Sequence, residues 1–262
     1  MNTRIVVFGA AGRLGSAIVR AAEATPAVAI AAALVRKGAV LGATALHPAQ
    51  AINCDTELRA GVEADVIVEA TGAAGFDAAL ALALKRHLAL VSGSTGLDAT
   101  QRTALTVAAK SIPILCAANF SLGAALLARL AREAAAKLGR DFEVEILETH
   151  HRAKRDAPSG TAIMLGEAVA SERGTTLADS GRLGRGPGDP APVRGEIGIA
   201  SLRLGDVVGD HTVSFAGPGE RIELTHRATS RDVFAIGALR AAQWLHGKPA
   251  GLYSMDDVLG RG

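Results

Sequence analysis

The sequence predicts an α/β protein, a Rossmann-type parallel sheet domain joined to a smaller α+β domain with a mixed open sheet. Three observations carry this reading. From Arg4 to Gly123, short β-branched runs alternate with Ala- and Leu-rich stretches, the pattern of parallel strands linked by helices. A glycine triplet, Gly9, Gly12 and Gly15, falls between the first strand and the first helix. After Asn119 the texture changes to one long amphipathic helix followed by strands that alternate polar and apolar residues, the mark of a half-buried, antiparallel sheet.

Strands are predicted at 5–8, 28–34, 66–69, 89–91 and 114–116, because these runs are short, apolar and rich in Val and Ile. The helices between them, 15–24, 76–87 and 98–110, have apolar residues at helical spacing, and Asp98 offers an oxygen to cap the third. The amphipathic helix spans 121–138 and leads to the alternating Glu143-Val144-Glu145-Ile146. Further strands are predicted at 197–204, 211–215 and 221–225, the last two joined by a turn at Gly217-Pro218-Gly219. The Gly-, Pro- and Arg-rich stretch 174–195 is expected to stay irregular. Ser230 is expected to cap a final helix through Leu245, ended by Gly247. The boundaries read as 1–121 for dinucleotide binding, 122–229 for the substrate, and 230–262 as a helix and tail returning to the first domain.

Composition narrows the function. Across 262 residues, Lys and Arg number 28 against 26 Asp and Glu, and aromatics make up 3%. That charge balance gives no general attraction to nucleic acid, and the chain lacks stacking faces for single strands. No apolar run is long enough to cross a bilayer, and the N-terminus has no export pattern. Cys54 and Cys116 form neither a disulfide framework nor a zinc spacing. The expectation is a cytoplasmic protein with no membrane or nucleic-acid partner.

Gly9-Ala10-Ala11-Gly12-Arg13-Leu14-Gly15 stands where a dinucleotide fold places its phosphate turn, although the spacing is GxxGxxG. Glycines there allow a tight turn and close approach of a pyrophosphate to a helix N-terminus. Packing of helix on strand is the competing explanation. At the end of the second strand, where a ribose-binding acid would stand, the sequence reads Leu34-Val35-Arg36-Lys37. A guanidinium at Arg36 suits a 2′-phosphate, so NADPH is the expected cofactor and NADH the alternative; a solvated basic loop competes with this reading. Gly93, Ser94 and Thr95 in one turn, and Ala117, Ala118, Asn119 and Phe120 in another, fall at carboxyl ends of strands, the ligand-binding edge of such sheets. A hinge is the rival role for 117–120.

The densest polar stretch is Thr149-His150-His151-Arg152-Ala153-Lys154-Arg155-Asp156-Ala157-Pro158-Ser159-Gly160-Thr161. Histidine supplies a group that titrates near neutrality, and Lys154 a cation for an anionic substrate. Pro158 to Thr161 resemble the opening of a helix, whose first amides form an anion site. Cation, acid and anion hole together suit a small dicarboxylate. A metal is ranked low, since adjacent histidines point apart and no carboxylate is seen at ligand spacing. Arg231 is a candidate second carboxylate clamp or a surface residue. His211 and His226 lie in predicted strands and read as satisfied structural histidines.

With these residues in hand, the sequence resembles the dihydrodipicolinate reductase family nearly end to end: GAAGRLG at 9–15, SGSTG at 92–96, AANFSLG at 117–123, ETHHRAKRDAPSGTA at 148–162, GERIELTHRATSR at 219–231 and GLYSMDDVL at 251–259. The resemblance implies reduction of a cyclic unsaturated dicarboxylate to tetrahydrodipicolinate in lysine and diaminopimelate biosynthesis. Hydride from NADPH or NADH reaches ring C4, water having been lost there, and a proton is added at C3. It implies His150 as proton donor and Lys154 as its companion cation, with His151, Lys154, Gly160 and Thr161 holding substrate. The turns 9–14, 93–95 and 117–120 would contact cofactor. Some members carry Glu at the place of Val35, so its loss here should weaken NADH. A homotetramer assembled through the second-domain sheet is also implied. Two other readings stay open: another amino-acid dehydrogenase of similar build, and a non-catalytic NADPH sensor that has no need of His150 or Lys154.

Overall fold

The computed structural model describes residues 2–38 and 54–260. The chain divides into two compact units, Met1–Leu122 with Asp232–Gly262, and Gly123–Arg231. The first is built from β1 (Thr3–Phe8), α1 (Arg13–Glu23), β2 (Val28–Leu34), β3 (Cys54–Asp55), β4 (Val66–Glu69), α2 (Ala73–Arg86), β5 (Ala89–Ser92), α3 (Ala99–Ala108) and β6 (Pro113–Cys116). Its described strands form one parallel sheet in the order β12-β6-β5-β4-β1-β2-β3, where β12 (Gly251–Tyr253) joins from the end of the chain.

The continuous apolar runs have a physical cause. Val6, Ile67, Leu90 and Ile114 pack against Phe76 and Leu80 of α2 and Leu105 of α3. Residues of the opposite parity, Ile5, Val7 and Val68, are equally buried, which requires a second covering layer. That layer is α1 and α7 (Asp232–Leu245), which touch each other and the sheet. The cap predicted at Asp98 is present: its carboxylate accepts the Gln101 amide at 2.8 Å and the Gln101 side chain returns to the Asp98 amide.

The second unit takes α4 (Leu122–Leu138), β7 (Glu143–His150), α5 (Gly160–Glu172), α6 (Leu177–Ser180), β8 (Gly181–Leu183), β9 (Ile197–Arg203), β10 (Gly209–Gly217) and β11 (Glu220–Ala228). The sheet is mixed, in the order β11-β10-β7-β9-β8, with β10 antiparallel to both β11 and β7, and β9 parallel to β7 and β8. Val144, Ile146, Phe215 and Ile199 on its inner face pack with Leu165 and Val169 of α5 and Leu127 of α4.

One sequence expectation is corrected. The stretch 174–195 is not wholly irregular: α6 is capped by Thr176 and β8 pairs with β9. Leu177 docks this segment against Gly166 and Ile199, and one apolar anchor in a polar run leaves no periodic signal. The last helix opens at Asp232, two residues past Ser230. The short elements β3, β12 and α8 (Met255–Val258) were beyond the reach of pattern reading. No helix among the described residues is long and apolar enough to cross a membrane.

Candidate active site

In the first unit the turn after β1 is made of backbone. Gly9 has φ +92°, and its amide and that of Ala10 donate to the Leu34 carbonyl at the end of β2. A Cβ on Gly9 would lie 2.5 Å from Thr71 Cγ2, and one on Gly15 only 2.2 Å from the Gly9 carbonyl oxygen. Both glycines are therefore required for helix α1 to sit on the turn. Gly12 caps α1 without a side-chain hydrogen bond, and no acid stands in its first turn, so the positive helix end is unopposed by a protein carboxylate. That helix end, exposed at Gly12 and Arg13, fits the phosphates of a nicotinamide dinucleotide.

The other cofactor candidates gather by packing. A Cβ on Gly93 would meet Phe120 at 2.9 Å and Leu14 at 3.4 Å, so three of the predicted turns touch. Ala117 donates its amide to the Ser92 carbonyl, and Asn119 Oδ1 accepts from the Ser121 amide. Ala11, Arg13, Thr95 and Ala118 are exposed at this edge. Arg36 is exposed two residues beyond β2. Asp55, beside the end of β2, already pairs with Arg59. Sequence reading missed Glu69, which ends β4 fully buried and accepts hydrogen bonds from Thr71 and, at 2.7 Å each, from the hydroxyls of Ser92 and Ser94. Its carboxylate ties the 92–96 turn to the 70–72 turn.

In the second unit side chains make the site, and strand register assembles them. Residues level with one another across a sheet share a face. His211 on β10, Glu148 on β7 and Ser201 on β9 form one rung, and His150 and Arg203 form the next. Both rungs lie on the inner face, continuing the row of Val144 and Ile146. Glu148 is fully buried; one oxygen pairs with His150 Nδ1, and the other accepts from Arg203 Nη1 at 3.0 Å and from the Ser159 amide at 3.3 Å. Burial works to raise its carboxyl, but hydrogen bonds from Ser201, His150 and Arg203 outweigh this and hold it below the usual range. Burial lowers the His150 imidazole, Glu148 opposes that, and the charges of Lys154 and Arg203 lower it further.

His211 packs edge-on to His150 with ring centroids 5.1 Å apart, and its Nε2 lies 3.1 Å from Ser159 Oγ. Burial, and then the neighbouring His150, push it down to about 4. The expectation of a satisfied structural histidine is thus corrected, since the buried Nδ1 has no hydrogen-bond partner. His226 faces it across the β10–β11 pair. The statement that no carboxylate stands at ligand spacing also fails: Glu148, His150 and His211 converge to within 4.8 Å. Both oxygens of Glu148 are nevertheless occupied by nitrogen donors, an arrangement that suits proton chemistry.

Ser159 caps α5, its hydroxyl accepting from the Ala162 amide, so Gly160 and Thr161 stand at the helix's positive end. A Cβ on Gly160 would meet nothing within 4 Å, which leaves open space before those amides. Arg203 also donates to the carbonyls of Lys154 and Asp156, stapling the loop that carries Lys154. The Lys154 ammonium is paired with the exposed Asp156 at 2.6 Å. His151, half-buried, accepts the Lys154 amide at its carbonyl. Arg231 is exposed in the link before α7.

Fold and site together define a class: a two-unit oxidoreductase with a glycine turn before a helix in one unit and histidines, a lysine and a helix N-terminus in the other. Residues 3–120 match the family model described as dihydrodipicolinate reductase, N-terminus, and residues 123–259 the one described as its C-terminus. The chain is 47% identical to 4-hydroxy-tetrahydrodipicolinate reductase of Pseudomonas fluorescens (strain SBW25), covering 98% of both chains. It is 45% identical to that of Rhodopseudomonas palustris (strain HaA2), covering 99% of this chain and 98% of the relative. Among solved structures it is similar to a dipicolinate-bound dihydrodipicolinate reductase from Paenisporosarcina sp. TG-14, with TM-score 0.79, 26% identity, and coverage of 97% and 98%. An amine dehydrogenase from Mycobacterium smegmatis, at 12% identity and TM-score 0.62, shares the fold. The chain belongs to the dihydrodipicolinate reductase family of enzymes.

Proposed function

We propose that the protein reduces 4-hydroxy-tetrahydrodipicolinate to tetrahydrodipicolinate, with NADPH as the preferred donor and NADH as the weaker one, in lysine and diaminopimelate biosynthesis. Bound at the turn formed by Gly9, Ala10, Ala11, Gly12, Arg13 and Leu14, and at Gly93–Thr95 and Ala117–Phe120, a reduced nicotinamide supplies hydride, whose destination is ring C4 after loss of water there. His150 gives its Nε2 proton to C3, so that hydride and proton together saturate one ring double bond. Lys154 and His151 draw one carboxylate, the amides of Gly160 and Thr161 receive it at the end of α5, and Arg231 is the candidate for a further contact. Arg36 pairs with the 2′-phosphate.

One observation carries this reading: the hydrogen bonds Ser159–Glu148–His150 join the N-terminal end of α5 to an imidazole. The dipicolinate named in the Paenisporosarcina relative is a planar pyridine dicarboxylate, the shape such a pair would hold. The outer face of the second sheet leaves Leu147 and Leu202 exposed at 44% and 49%, and a cytoplasmic homotetramer joined through this face fits them. The test is NADPH and NADH oxidation by the purified protein, with substrate generated in place by a dihydrodipicolinate synthase from pyruvate and aspartate semialdehyde. Oxidation that depends on the synthase is expected. None, with NADPH still bound, would favour another substrate or the sensor.

A further inference from the structure

We propose that Glu148 is the positioning residue of the proton donor, fixing His150 with Nδ1–H toward the carboxylate so that Nε2 is the nitrogen that delivers the proton. The inference rests on His150 being that donor. Its basis is geometric. Glu148 stands two residues before His150 on one strand, so both side chains reach the same inner face. One carboxylate oxygen is held by His150 Nδ1, and the other is anchored by Arg203 and the Ser159 amide. A buried carboxylate fixed at both oxygens has no freedom to leave the ring. On the opposite side of the imidazole, Nε2 looks toward Gly209, where an added Cβ would come within 3.0 Å; the absent side chain keeps that nitrogen uncrowded.

The arrangement performs two tasks. A carboxylate accepts only, so the hydrogen it faces must be on Nδ1, which leaves Nε2–H of the imidazolium as the transferable proton. When that proton passes to carbon, the neutral Nδ1–H tautomer remains hydrogen-bonded, and solvent restores the charge. Glu148 also offsets the other groups that face His150. Lys154 in the following loop and Arg203 on β9 both disfavour a positive charge on the ring, as does burial, and His211 on β10 packs edge-on to it. Through Ser159 the same carboxylate sets the acid's place relative to the end of α5, so acid and anion site are positioned by one group.

The test is Glu148→Gln in the full-length protein, which keeps size while removing charge and the capacity to accept at both oxygens. His150 should titrate lower by at least about one unit in the free protein, read by 15N NMR of the imidazole. The alkaline limb of the kcat profile should move down in pH by the same amount, so that kcat at pH 8 falls at least about tenfold and the loss shrinks as pH drops below the wild-type limb. NADPH Kd should stay within about twofold, and Glu148→Asp should recover part of the pH 8 rate. An unmoved titration and an unmoved limb, with rates lowered equally at every pH, would overturn the proposal. Should the variant fail to fold, the wild-type 15N spectrum decides: a neutral His150 protonated on Nδ1 supports it, and one protonated on Nε2 refutes it. The titration uses no substrate, so it stands apart from failure of the proposed reaction, which wild-type assays report.

Discussion

The first unit shapes its glycine turn from backbone, and the second builds its edge from charge. At Gly9 and Gly15 the missing Cβ atoms let α1 pack on the turn, and Gly12 caps that helix without a side-chain hydrogen bond. At Glu148, His150, Arg203 and His211 the reverse holds: side chains from three strands meet on one face. The difference teaches where each site is sensitive. A backbone cradle fails when something is added to it, whereas a charged network fails when something is removed.

Among changes to binding, the largest expected effect is therefore an addition. Gly15→Val would drive methyl groups into the Gly9 carbonyl, and overpacking of this kind costs about 1–3 kcal/mol in stability; NADPH affinity, by calorimetry, should drop by more than about a hundredfold. Dipicolinate binding should change little, and its equal loss would erase the contrast between the units. Next is Lys154→Ala. Removing a charge-assisted contact of about 1.5–3 kcal/mol should raise KM for the dicarboxylate by about ten- to a hundredfold, with NADPH KM unchanged in steady-state kinetics.

A smaller change is expected from Arg36→Ala, which should raise KM for NADPH about tenfold and leave that for NADH nearly constant. Equal effects on the two would remove the 2′-phosphate contact from the account. The last is a pH effect on stability and not on binding. His211 titrates near 4 in the folded protein against an ordinary 6.5, so between these values the unfolded chain binds more protons. Stability is full above about 6.5 and declines as pH falls toward 4, by up to about 1.4 kcal/mol per pH unit for one such group. Urea midpoints at pH 7 and 4.5 should show the decline, and His211→Gln should flatten it.

These contrasts also explain what was legible in the sequence. The parallel strands were plain because two-sided burial demands unbroken apolar runs, as in Ile5 to Phe8, and the Asp98 cap was plain because capping is local. The glycine turn was visible because its cause is adjacent in sequence. Glu148 left a signal that was passed over: the alternation that buries Val144 and Ile146 also buries Glu148 and His150. The apolar Leu147 on the exposed side made the strand look finished at Ile146. Arg203 and His211 left no local signal, since each meets Glu148 only through register, 55 and 63 residues away in sequence. Glu69 was hidden for the same reason, its hydroxyl partners arriving from the next strand.

The central claim is that the second unit performs the proton chemistry while the first holds the cofactor. His150→Ala tests it most directly, with synthase-generated substrate for turnover and calorimetry for cofactor. The account predicts that kcat falls by about a hundred- to ten-thousandfold while NADPH Kd stays within about twofold. Turnover equal to wild type would contradict it.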